Sequence, residues 1–188
     1  MIHLSPPAPQ LSLEKLLAKY NSERRRKRMT KAYANSLKTV TEAVQPEMLL
    51  DRFQADHLPE LEPFAAAETK GYFLGLCTLG QQLDQEIETL NRQDIVTAAI
   101  AEEIALAMIV SLTNELRQHA TELIDRNRLK VGPAYRPGVG RWPIELQSLI
   151  FKHLPTLEIG VTLSEFMVMS PSKSTSLIIP VLPIVASP

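Results

Sequence analysis

The chain has 188 residues, 45% of them hydrophobic, with 20 Lys and Arg against 21 Asp and Glu for a formal net charge of -1. That is enough apolar material for one full core, which excludes disorder throughout, and the charge is too balanced to draw nucleic acid to the whole surface. Cys77 is the single cysteine, which excludes an internal disulfide framework, argues against a cysteine-held metal or iron–sulfur centre, and fits a reducing cytoplasm.

Residues 1–10 carry three prolines and no basic region ahead of an apolar stretch, so no secretory leader is expected. Residues 11–45 are polar and helix-permissive, with Leu13, Leu16 and Leu17 on one short apolar face and a basic run from Arg24 to Arg28. A solvated helix face is the default reading of that run. A patch for nucleic acid or an acidic partner is the sharper one, and no nucleic acid is expected, since neither aromatics nor a known motif accompany it. Residues 45–63, with three prolines and several carboxylates, read as a loop with one helical turn. Residues 1–63 are thus expected to form a helical and loop segment ahead of a core over 64–188.

Residues 71–77 are apolar and end at Thr78-Leu-Gly80, which predicts a buried strand leaving into a tight turn. Leu83, Ile87 and Leu90 recur at helical spacing over 81–90, and Asn91 closes that helix. Asp94 offers a side-chain oxygen to the free amides of a second helix, predicted to run to about Arg128. Ile100, Ile104, Met108, Leu112, Leu116 and Leu123 line one stripe of it, and residues 95–112 are apolar widely enough to be buried on several sides. Gly132-Pro133 ends it. A further helix is predicted over 144–153 with Pro143 in its first turn, then β structure over 158–164 and 165–169, and a strand over 174–181 with Pro180 at an edge or strand end. The run from Leu177 to Val185 is too short and too broken by proline to span a membrane. Helices, a strand, two helices and then strands, with no glycine-rich dinucleotide fingerprint, predict an α+β fold of long helices on a mainly antiparallel sheet.

Two stretches carry a resemblance. They are Gly132-Pro-Ala-Tyr-Arg-Pro-Gly-Val-Gly-Arg-Trp-Pro-Ile-Glu-Leu-Gln147 and Ile159-Gly-Val-Thr-Leu-Ser-Glu-Phe-Met-Val-Met-Ser-Pro-Ser-Lys-Ser174. With Cys77-Thr-Leu-Gly80 and the long helix, their order and spacing resemble the activation domain of cobalamin-dependent methionine synthase from Tyr72 onward. The resemblance implies an S-adenosylmethionine site at the Pro-Gly loop and docking on a corrinoid protein or cobalamin-bearing methyltransferase. It also implies methylation of the partner's cobalamin after one-electron oxidation, with a flavodoxin- or ferredoxin-like electron donor. The residues it places on the ligand are Tyr135, Arg136, Gly138, Gly140 and Trp142, with Lys173 and Ser174 nearby. Gly138 and Gly140 let backbone approach a ligand, Tyr135, Arg136 and Arg141 can stack or pair with a carboxylate, and Trp142 can form a wall. Two positions depart from the family: Ala134 stands where it has the ligand-binding arginine, and Val139 where it usually has tyrosine.

Other constellations have plainer readings. The loop itself could be a rigid connector. Ser170-Pro-Ser-Lys173 formally matches Ser-x-x-Lys, but that nucleophile must open a helix and needs partner motifs. Glu102 and Glu103 point about 100° apart, so a helix edge reaching solvent fits them better than a paired-carboxylate site. His119 has no second histidine at metal-ligand spacing, and no metal site is expected. Met167 and Met169 alternate on the expected strand and so share a face. The alternative to an activation component is a non-catalytic binding or assembly module that has lost the nucleotide site, and a weaker one is a polyanion-binding adaptor using Arg24 to Arg28. Neither reading decides whether the chain forms a homodimer.

Overall fold

The computed structural model describes residues 1–184; Val185, with which the C-terminal apolar run ends, and the last three residues lie outside the described part. Five strands form one antiparallel sheet: β1 (Ile2–Leu4), β2 (Glu47–Gln54), β3 (Gly71–Thr78), β4 (Leu129–Val131) and, after the two-residue β5 (Thr162–Leu163) and β6 (Met169–Ser170), β7 (Ser174–Pro183). The strand order is β1-β2-β3-β7-β4, and β5 pairs with β6 in a separate small hairpin. Helices α1 (Leu13–Leu17), α2 (Glu23–Ala43), α3 (Gln81–Gln93) and α4 (Ile95–Glu122) cover one face. Helix α5 (Leu146–His153), short 3-10 turns and the 132–145 loop cover the other. The expected α+β class and antiparallel sheet are what the chain forms.

The two-residue period of a strand explains why both faces are apolar. In β3, Phe73 and Cys77 pack into the helix-side core, while Tyr72, Leu74 and Leu76 pack into the other, so all eight residues are buried. Gly75 lies against α4: a Cβ there would fall 2.8 Å from Leu116 Cδ2. Helix α4 begins at Asp94, whose carboxylate accepts from Val96 N (2.9 Å) and Thr97 Oγ1 (2.6 Å). By length and composition alone α4 could cross a membrane; its buried side packs against α2, α3 and the sheet.

Several expectations need correction. Residues 47–54 are not loop but the eight-residue β2, since Met48 and Leu50 face the helices and Leu49 the other layer. Residues 1–63 therefore put two strands, β1 and β2, into the main sheet. Helix α3 continues past Asn91 to Gln93, and α5 starts at Leu146 rather than Ile144. Helix α4 stops at Glu122, because Asp125 takes Asn127 N and Arg128 N into a turn that feeds β4. The β runs expected over 158–169 shrink to β5 and β6: residues Thr156–Ile159 form a 3-10 turn closed by left-handed Gly160, and Met167 sits at φ 59 in the hairpin loop. Met167 and Met169 therefore do not share a strand face. Pro180 lies in an inner strand. Its carbonyl accepts from Gly132 N (2.8 Å), so its missing N–H would face Gly132 O, and that carbonyl accepts from Arg117 Nε (3.1 Å) instead.

Candidate functional site

The Pro-Gly loop grows out of β4. After Val131 the chain stays beside β7, and Tyr135 exchanges both backbone hydrogen bonds with Ile178, each 2.9 Å. Residues 136–142 then fold on themselves, Gly138 N donating to Trp142 O (2.8 Å) and Val139 N to Arg136 O (3.1 Å). Gly138 (φ 85) and Gly140 (φ 63) supply the left-handed backbone this turn needs. The two differ in surroundings: a Cβ on Gly138 would fall 2.6 Å from Ile144 Cδ1, whereas nothing lies within 4 Å of one on Gly140.

Aromatic rings fix the loop to the α5 side of the sheet. Trp142 is buried and stacks on Tyr135 (centroids 4.5 Å apart, planes at 22°), with Phe64 also against it at 5.3 Å. Arg141 donates to the carbonyl of Phe64 (2.7 Å), tying the loop to the 3-10 turn before β3.

Arg136 takes the opposite direction. Tyr135 pairs with Ile178 and shares its face, so Ala134 and Arg136 lie on the helix side. Ala134 indeed packs against the helix-side core. Cys77 belongs to that core too: burial pushes its thiol up to about 12, against a smaller downward pull from Thr113 and from the Arg136 charge. Arg136 is exposed, and its guanidinium makes no hydrogen bond or ion pair among the described residues.

Lys173 and Ser174 sit at the other end of β7, apart from the loop. The Lys173 ammonium, 11% exposed, pairs with Glu102 of α4 at 2.9 Å. The Ser174 hydroxyl donates to Pro171 O (2.7 Å) and shares a hydrogen bond with Thr78 (2.8 Å). Asp84 of α3 accepts from both the backbone N (2.6 Å) and the hydroxyl (2.8 Å) of Ser172. This turn, whose Ser170–Pro171 peptide is cis, is thus anchored to α3, α4 and β3. Ser170 ends a strand rather than opening a helix, which removes the Ser-x-x-Lys nucleophile reading.

One exposed stripe of α4 links the two ends. Glu102 holds Lys173, and Arg117 donates to Gly132 O (3.1 Å) at the start of the loop. Leu106 and Val110, 57% and 48% exposed, lie on that stripe between them. Sequence reasoning missed both, because periodicity marks an apolar helix as buried without saying which flank stays bare. Glu103 also has partners, Lys19 and the Tyr33 hydroxyl (2.8 Å to the latter), so neither glutamate of the pair is free for acid–base work. Among the described residues no cluster of His, Cys, Asp and Glu could hold a metal.

The five-stranded antiparallel sheet, with four helices on one face and the Pro-Gly loop and short helix on the other, has the fold seen in a methionine synthase reactivation domain. In one solved structure, the MetH reactivation domain bound to AdoHcy, the likeness covers 93% of this chain and 70% of that chain with a TM-score of 0.68. The two are 14% identical, so what they share is the fold. No family model and no curated protein matches the chain in sequence.

Proposed function

We propose that this chain is an activation-domain-like module that binds an S-adenosylmethionine-type ligand and docks on a corrinoid protein or cobalamin-bearing methyltransferase. The observation that carries the ligand reading is the exposed, unpaired Arg136 guanidinium on the side of the sheet where α4 leaves Leu106 and Val110 bare. Such a ligand has a carboxylate that a guanidinium can take in a paired fork, and a flat base that gains from apolar contact. Arg136 thereby stands in for the cation missing at Ala134. Tyr135 and Trp142 act by stacking on each other to hold the loop, Gly138 and Gly140 shape its turn, and Lys173 and Ser174 fix the far end of β7.

Bound S-adenosylmethionine would supply a methyl group to the partner's cobalt, and a flavodoxin- or ferredoxin-like protein the electron. This chain's own part is positioning and charge complementarity, with no general base required. The location that fits this role is cytoplasmic. The second reading, a binding or assembly module without the nucleotide site, is favoured by Ala134, which packs into the core and offers no cation. Calorimetric titration with S-adenosylmethionine separates the two. Under the first reading the wild type binds, and Arg136→Ala loses at least about tenfold in affinity, as expected when one charged partner of a carboxylate is removed. No heat and no thermal shift at millimolar ligand would leave the assembly-module reading.

A further inference from the structure

Helix α2 carries a cationic stripe that neither the sheet nor the ligand reading uses. Tyr33, Ser36, Val40 and Ala43 face inward, while Arg24, Lys27, Arg28 and Lys31 are all exposed. Their spacing of i, i+3, i+4 and i+7 places them on one face, over roughly 10 Å of helix axis. None of the four forms an ion pair among the described residues, whereas Lys38 further along α2 pairs with Glu42 (3.9 Å). Arg26 is spent on Tyr20, donating to its carbonyl at 2.7 Å.

This arrangement works against the helix twice. Like charges three and four residues apart repel, and Arg24, in the first turn of α2, meets the positive end of the helix dipole. Only Glu23 opposes that end, and the N-cap Ser22 makes no side-chain capping bond. A stripe held at a cost to its own helix is explained by an anionic surface that covers it.

We infer that the Arg24–Lys27–Arg28–Lys31 face docks a compact acidic surface of a partner protein, with carboxylates spread over about two helical turns. Charge complementarity selects that occupant over a long polyanion. The six cations of residues 24–31 leave 14 of the chain's 20 Lys and Arg to face 21 Asp and Glu, so the surface beyond the stripe repels nucleic acid or an anionic membrane. Neither tyrosine beside the stripe is free to stack a base, since Tyr33 is buried and Tyr20 packs edge-on against it at 6.2 Å. No large apolar side chain of α2 is exposed for insertion into lipid. The inference is independent of the ligand proposal.

The test is fluorescence anisotropy with a labelled polyglutamate peptide, beside a single-stranded oligonucleotide of equal charge and phosphatidylserine vesicles. One variant carries Arg24→Gln, Lys27→Gln, Arg28→Gln and Lys31→Gln. A control removes the same net charge elsewhere, with Lys15→Gln, Arg52→Gln, Lys70→Gln and Lys152→Gln, and circular dichroism establishes that both are folded. The expected result is polyglutamate binding that falls with added salt, drops about tenfold or more in the stripe variant and is nearly unchanged in the control. Equal losses in both variants, no loss in the stripe variant, or tighter binding of the oligonucleotide or vesicles than of the peptide would each overturn the inference.

Discussion

At the residue scale, position matters more than type. Gly138 and Gly140 both need φ values that L side chains rarely adopt, but only Gly138 is also crowded, by Ile144. Gly140→Ala should cost about 1 kcal/mol of backbone strain, and Gly138→Ala visibly more, because Ile144 must move as well. Parallel denaturant melts check this, and equal midpoints would show that Ile144 gives way freely. Asp94 offers a pH test. The Thr97 hydroxyl, and then the backbone amides of Val96 and Thr97, hold its carboxyl below the usual carboxylate range. Since the folded-state value is the depressed one, the cap's contribution is fully present above the unfolded pKa of about 4 and is lost as pH falls through the folded value. Asp94→Asn keeps an acceptor for the helix and should flatten that acid limb in a plot of melting temperature against pH; an unchanged acid limb would show that other carboxylates set it.

At the scale of elements, α4 is the member on which the helix layer closes. Leu112 is fully buried beside Leu116, at the level where Gly75 lets helix and strand approach closely. Leu112→Ala should therefore destabilise by about 2–5 kcal/mol, the range for a buried leucine whose cavity cannot collapse, measured by urea unfolding. A cost below about 1 kcal/mol would mean that the layer relaxes around the void. The apolar breadth of α4 was legible in its sequence, and so was its cap at Asp94. Its bare flank at Leu106 and Val110 was not, because it exists only where the loop and β7 leave α4 uncovered.

At the scale of the whole molecule, the main sheet draws two of its five strands, β1 and β2, from the N-terminal region. Met48 and Leu50 belong to the helix-side core and Leu49 to the other, and β2 pairs with β3 along its full length from Glu47 to Gln54. A fragment starting at residue 64 would expose the edge of β3 and part of each core, so it should fail to show a cooperative thermal transition, while the full chain melts in one step. Circular dichroism distinguishes the outcomes. A fragment that melts cooperatively would make residues 1–63 an appendage rather than part of the sheet.

The sequence by itself determined the α+β class, the buried strand β3, the capped start of α4 and the Pro-Gly turn, because these rest on local periodicity, proline geometry and glycine conformations. It did not determine that residues 47–54 are a strand or that Pro180 stands in an inner one, since both depend on which partner strand lies alongside. Tertiary structure alone decided the rest of the site. It turned Arg136 to the helix side and Tyr135 to the other, gave Lys173 to Glu102, and closed Trp142 into the core, because alternation along a strand acquires a direction only once both faces of the sheet are covered.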